Sequence, residues 1–339
     1  MALTPPAEGA TYVTENYQGI ELEFALIGDV GNLDDTILSG GDYRGAVDYE
    51  YYISKYAVTQ GQWAAFLNAV ATDKSASADI LALYNGNMNS QGYGHIRRTN
   101  DLFDPANKWM YVFQSDYEDR PVVHVSLTDA QRFCNWLTTG NTESGVYDMT
   151  SSATVLRDPV ASLQPGAVVL PTENEWYKAA YYDPNKGAGG YYTYSFGHAN
   201  GDCAHMDFAN YDQVYHDMMA PDWGNGVYFL NEVGFYENYS GSLSSYGVAD
   251  MTGNVWEWTD SQYNWYDRVV RGSAFHSDGL DLSAEFSRAH YAPSTEDNFI
   301  GFRVASVAPI PEPSTYGMIG GALVGLLCLV RRKRRAPAL

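Results

Sequence analysis

A mixed α+β fold, dense in irregular structure and followed by an apolar C-terminal helix, is what this sequence predicts. Three observations lead there. Alternating apolar and polar runs are interleaved with short capped helices in the first half of the chain. The 28 tyrosines and 8 tryptophans bring aromatic content to 14%, which suits loops pinned by rings more than long helices. Beyond Pro311 the composition changes to an apolar run closed by a basic cluster.

The elements follow in order. Val47, Tyr49, Tyr51 and Ile53 alternate with Asp48, Glu50 and Ser54 and predict a strand. Thr59 with Gln62 three residues on is a capping-box pattern, and Trp63, Phe66, Leu67 and Val70 form the buried stripe of the helix it opens. Residues 74–120 are polar and rich in Gly and Asn, and predict a long loop carrying Arg97-Arg98. Pro121 to Val125 reads as a short strand. Ser126 or Thr128 caps a second helix, with Ala130, Phe133, Cys134 and Leu137 on one face and Gly140 at its end. Cys134 is therefore placed in the core rather than in a reactive site. Val168 to Leu170 reads as a buried strand leading to a third helix, which Thr172 and Glu175 cap and which runs to about Asp183. Residues 185–247 are turn-rich, with a breaker cluster from Gly187 to Gly190.

A chain of 339 residues with 45% apolar content can bury a sizeable core in one large domain or two ordinary ones. Residues 1–310 carry 40 acidic and 15 basic side chains. That balance repels phosphates and anionic lipid and argues against a nucleic-acid partner. Three cysteines, Cys134, Cys203 and Cys328, are too few for a disulfide framework. His198, Cys203 and His205 are close in sequence, but their spacing matches no zinc pattern well.

The most informative stretch is Gly253-Asn254-Val255-Trp256-Glu257-Trp258-Thr259-Asp260. An oxygen donor at Asn254, the Val255 carbonyl and the Glu257 carboxylate can curl around a hard cation such as calcium. An aromatic turn without an ion is the alternative.

This stretch resembles the formylglycine-generating enzymes, or sulfatase-modifying factors. Four other segments resemble the same family and fall in family order. They are Tyr52 to Thr59; Pro121 to Ser126 with Ala130 and Asn135-Trp136-Leu137; Leu170 to Trp176; and Gly301-Phe302-Arg303. The resemblance covers residues 20–307, leaving 1–19 as an N-terminal extension. It implies a single large irregular α+β domain related to the C-type lectin fold. It further implies a second structural calcium site at Asn210 and the Tyr211 carbonyl, whose later ligands do not align cleanly around Asp222 and Asn225.

Residues 308–315 form a linker with Pro311-Glu312-Pro313, residues 316–330 an apolar helix, and residues 331–339 a basic tail opening with Arg331 to Arg335. Fifteen residues are slightly short for an untilted membrane span, and the cluster holds its end on the cytoplasmic side. The order resembles the PEP-CTERM sorting signal of Gram-negative bacteria. That resemblance implies an exosortase-type partner, membrane engagement through the helix, and a domain exported to the cell envelope or surface. Such proteins also carry an N-terminal signal peptide. None is visible in residues 1–20, which implies a true start further upstream.

The family oxidises a substrate cysteine with copper held by two cysteines placed just after a Gly-Ser motif. Soft thiolates select Cu(I), so the residue type matters. Here the motif is Arg271-Gly272-Ser273, and a gap-free alignment puts His276 and Asp281 at the two cysteine positions. Copper is therefore not expected. The pair is either part of an imidazole-carboxylate metal site, joined by His290 or another carboxylate, or a hydrogen-bonded surface pair. Ser273, His276 and Arg288 are the candidate ligand-binding residues, for a peptide or a glycan. Arg288 and Arg303 match arginines of the family, either bridging carboxylates or meeting substrate. The expected function is binding or altered chemistry at the cell surface. A formylglycine-generating oxidase acting on sulfatases and a purely structural surface protein are the alternatives.

Overall fold

Alternation in Ile20–Ile27 buries Leu22 and Phe24 on one face and Ala25 and Ile27 on the other, so this strand carries core on both sides. The computed structural model describes residues 10–90, 92–149, 156–157, 163–186, 190–196, 209–211, 229–239 and 241–306. Strand β1 (Tyr12–Tyr17) pairs antiparallel along β2 (Ile20–Ile27), and β2 pairs with β3 (Tyr51–Ser54). The sheet thus begins at Tyr12.

Two helices close one face of this sheet. Helix α1 (Gln60–Val70) starts at Thr59, whose side chain and that of Gln62 form the expected reciprocal cap. Residues 74–120 are not one long loop. They contain α2 (Ala78–Ala82) and a hairpin of β4 (Arg97–Asn100) and β5 (Trp109–Val112). Helix α3 (Leu127–Thr139) is capped by Ser126 and stopped by Gly140 in the left-handed region at φ 76°. Trp63 and Phe66 of α1 meet Phe133 of α3, with ring centroids 5.6 and 5.2 Å apart. These buried rings form the centre of the main core.

Helix α4 (Glu173–Tyr181), capped by Thr172 and Glu175, packs Trp176, Tyr177 and Tyr181 with Ile27, Tyr51 and Ile53 into a second cluster. The strands expected at Pro121–Val125 and Val168–Leu170 do not form ladders. Pro121 and Val169 each make one isolated bridge, and His124 at φ 60° breaks the extended backbone. Of the run from Val47, only Tyr51–Ser54 is strand.

A second sheet, ordered β8-β7-β6-β9, is built from β6 (Trp256–Gln262), β7 (Arg268–Arg271), β8 (Arg288–Tyr291) and β9 (Ile300–Phe302). The short β10 (Ala305–Ser306) then returns to β3 in the first sheet. Among the described residues no helix is long and apolar enough to cross a membrane. The apolar run 316–330, its linker and the basic tail lie outside the described residues.

Candidate functional site

The second sheet brings the sequence motifs together. Strand β6 lies parallel to β9, setting Glu257 opposite Gly301 and Trp258 opposite Phe302. On its other side β6 pairs antiparallel with β7, setting Glu257 opposite Arg271. Gly301 is required there: a Cβ would sit 2.6 Å from the Val122 carbonyl oxygen.

Arg303, one residue past β9, is fully buried and reaches back to Glu257 with two charge-assisted hydrogen bonds. Its Nε donates to Oε2 at 2.6 Å and its Nη2 to Oε1 at 2.8 Å. Trp176 Nε1 also donates to Glu257 Oε2, at 2.6 Å. The remaining guanidinium protons go to the carbonyls of Ser54, Lys55 and Ala249.

In this geometry the calcium arrangement expected of Asn254, the Val255 carbonyl and Glu257 has a competitor for the carboxylate. Both oxygens of Glu257 already accept hydrogen bonds, and its charge is offset by Arg303. A cation bound there would have to displace a buried guanidinium. Asn254, at φ 64°, is also engaged: its Oδ1 accepts from Asn210 Nδ2 and the Asn231 backbone, both at 3.1 Å. Its Nδ2 donates to the Asn231 carbonyl at 3.2 Å. Three asparagines thus knot the stretches around 210 and 231 to the start of β6. Asp222 and Asn225, the later candidates for the Asn210–Tyr211 site, lie outside the described residues, as do His198, Cys203 and His205.

The residues expected at the family's cysteine positions lie on the loop after β7. Gly272 and Ser273 turn the chain at φ 101° and 66°, and the buried Ser273 hydroxyl donates to the Asp281 carbonyl. His276 and Asp281 are both exposed and form no ion pair with one another. The His276 ring leans against Phe275 and Phe299, with centroids 4.9 and 5.0 Å apart. Their desolvation lowers its pKa, while Asp297 and Asp281 pull it upward. Asp281 is shifted above the usual carboxylate range by desolvation and by Asp278. An imidazole and a carboxylate so placed do not suit Cu(I), which takes soft sulfur ligands. Cys134 is buried in α3, and desolvation followed by the charge of Asp260 pushes its thiol up.

His290 is engaged elsewhere. Its Nδ1 lies 2.9 Å from Asp267 Oδ2, and its ring stacks on Tyr263. Among the described residues no three His, Cys, Asp or Glu side chains converge as a metal would need. Arg288 is held by Glu173, with Nε donating to Oε1 at 2.7 Å and Nη2 to Oε2 at 3.1 Å.

Sequence reasoning missed two buried charge networks. Glu173 is shared by Arg44, Arg271 and Arg288; burial opposes its charge, but the three guanidiniums win and its pKa is lowered. Arg157 donates to Glu175 at 2.6 Å and lies 4.0 Å from Asp260. Asp260 Oδ1 is buried with no partner among the described residues, and desolvation raises this carboxyl to about 6. Flanking gave a signal for the neighbouring Glu257–Arg303 pair, since Glu257 lies between Trp256 and Trp258 and Arg303 between Phe302 and Val304, but the polar neighbours of Glu173 and Asp260 gave none for these two networks.

Comparison with known proteins adds to this geometry. A bovine (Bos taurus) relative, inactive C-alpha-formylglycine-generating enzyme 2, is 41% identical over 76 residues, 20% of this chain. The chain spans about a quarter of that relative's length, 25%. Three solved structures align over most of both chains. They are Treponema denticola variable protein 1 (19% identity, 87% of this chain and 99% of that one, TM-score 0.48), PvdO from Pseudomonas aeruginosa (17%, 90% and 99%, 0.46) and CarF (18%, 84% and 98%, 0.48). Residues 309–335 match the PEP-CTERM protein-sorting motif. Residues 44–308 match the sulfatase-modifying factor enzyme 1-like domain, and the chain belongs to that family.

Proposed function

We propose that this chain is an exported, exosortase-processed surface protein whose domain has lost copper-dependent cysteine oxidation and serves binding or altered chemistry. One observation carries the reading: no cysteine lies between Cys203 and Cys328, and His276 and Asp281 stand where the closely spaced pair would be. Cys134 cannot substitute, being sealed in the core with its thiol held protonated. The match to a relative whose name calls it inactive is in keeping with this. The sorting motif supports delivery to the envelope, with residues 316–330 as the membrane segment before processing.

Arg288 and Ser273 are committed to Glu173 and to the Asp281 carbonyl, so His276 is the accessible member of the expected ligand-binding set. Calcium stays within the proposal at two places: Asn254 with the Val255 carbonyl and Glu257, where an ion would compete with Arg303 for the carboxylate, and Asn210 with the Tyr211 carbonyl.

The test incubates copper-loaded protein with a peptide carrying the Cys-x-Pro-x-Arg sulfatase motif and follows the cysteine by mass spectrometry. No conversion is expected, while a cysteine-containing relative converts the peptide under the same conditions. Copper-dependent gain of the aldehyde would restore the oxidase reading.

A further inference from the structure

The turn between β6 and β7 presents two large rings to solvent: Trp265 is 89% exposed and Tyr266 82%. The turn is fixed. Asn264 Oδ1 accepts from the backbone N–H groups of Tyr266 (2.6 Å) and Asp267 (2.9 Å), and its Nδ2 donates to Asp267 Oδ2 at 3.0 Å. The Tyr263 N–H closes on the Asp267 carbonyl at 3.1 Å, and Gln262 holds the Asn264 carbonyl at 2.9 Å. Beside it, the His290 ring of edge strand β8 stacks on Tyr263 at 3.7 Å, nearly parallel at 7°.

Rings held out by a braced turn cannot fold back onto the core, so their exposure is a property of the surface. Its chemistry is two-faced, with flat aromatic faces beside the amide of Asn264, the carboxylate of Asp267 and an imidazole. A pyranose has the same division, with C–H faces for rings and hydroxyls for planar polar groups. Charge narrows the occupant. Arg288 is paired with Glu173, Arg268 is buried with its Nη1 donating to the Asp267 carbonyl at 3.3 Å, and residues 1–310 are strongly acidic, so the turn presents no guanidinium to an anion. We propose that the Tyr263–Asp267 turn, with His290, is a docking surface for an uncharged glycan chain, separate from the loop that carries His276.

The test uses the full chain in native gels containing hydroxyethyl cellulose, dextran or galactomannan. Gels with anionic alginate, and flotation with phosphatidylglycerol vesicles, run beside them. Retardation by a neutral glycan is expected. Trp265→Ala and Tyr266→Ala should each weaken it about tenfold, at unchanged melting temperature because both side chains are exposed. Phe103→Ala, at a ring 96% exposed on the β4–β5 loop, should retain full binding. No retardation by any of the three neutral glycans, binding confined to alginate or vesicles, or equal loss in the Phe103 variant would each overturn the proposal. Capture of a protein partner by the same rings without glycan binding would overturn it as well.

Discussion

Replacing Arg303 by methionine should be among the most damaging single changes in this domain. The side chain is wholly buried and ties three segments together: residues 54–55, Ala249 and Glu257. Arg303→Met leaves the Glu257 carboxylate in a site of 1% side-chain exposure with Trp176 as its one remaining side-chain donor among the described residues. Breaking one side of a buried pair costs about 3–5 kcal/mol. Three carbonyls also lose a donor, at about 1 kcal/mol each where water cannot replace it. A loss of about 5 kcal/mol is expected, against a total of about 5–15 kcal/mol for a whole domain. At about 2–4 °C per kcal/mol for a domain of this size, the melting temperature should fall by about 10–20 °C. The double variant Glu257→Gln/Arg303→Met should recover about 2 kcal/mol of that loss, because no charge is then stranded. Thermal melts of the wild type, both single variants and the double variant close the cycle. If Arg303→Met costs less than about 1 kcal/mol, or the double variant is no better than Arg303→Met, the pair is not the clamp described here.

Other outcomes follow from the same structure. Asp260 is raised from 3.8 to about 6 by burial, so the folded state holds its proton more tightly than the unfolded chain does. Its contribution to stability is complete below about pH 4 and is lost as pH rises through about 6, an effect of about 3 kcal/mol. Asp260→Asn should therefore gain on the wild type by up to that amount between pH 4 and pH 7 in urea melts; a gap that does not change with pH would refute this. Gly253→Ala should cost about 2 kcal/mol or more, because φ is 82° and the new Cβ would meet the Asn210 carbonyl oxygen at 2.4 Å. A circular-dichroism melt indistinguishable from the wild type would contradict that. If calcium is held through Asn210 and Tyr211, chelation should lower the melting temperature by several degrees, since an ion at 100 times its Kd adds about 2.7 kcal/mol. Protein free of calcium by elemental analysis would end the idea.

The sequence by itself determined the three main helices, because a capping box and an apolar stripe are local: Thr59 and Thr172 stand at their starts as read, and of Ser126 and Thr128 it is Ser126 that caps the second. It also determined the family, whose motifs are short contiguous runs. The β4–β5 hairpin was hidden because Arg97–Asn100 is polar on both faces and leaves no period-two signal. Pro121–Val125 and Val168–Leu170 showed the opposite limit, apolar enough for strands but given no partner to ladder with. What Glu257 does was beyond the sequence. In isolation its carboxylate suits a cation as well as a guanidinium. Only the parallel pairing of β6 with β9 brings Arg303, 46 residues away, into contact with it. The same pairing fixes which charge is neutralised in the core and leaves His276 and the Trp265 turn outside it. Spacing along a chain records the helical period, whereas the partner of a buried charge depends on which strands meet, and that is settled by packing.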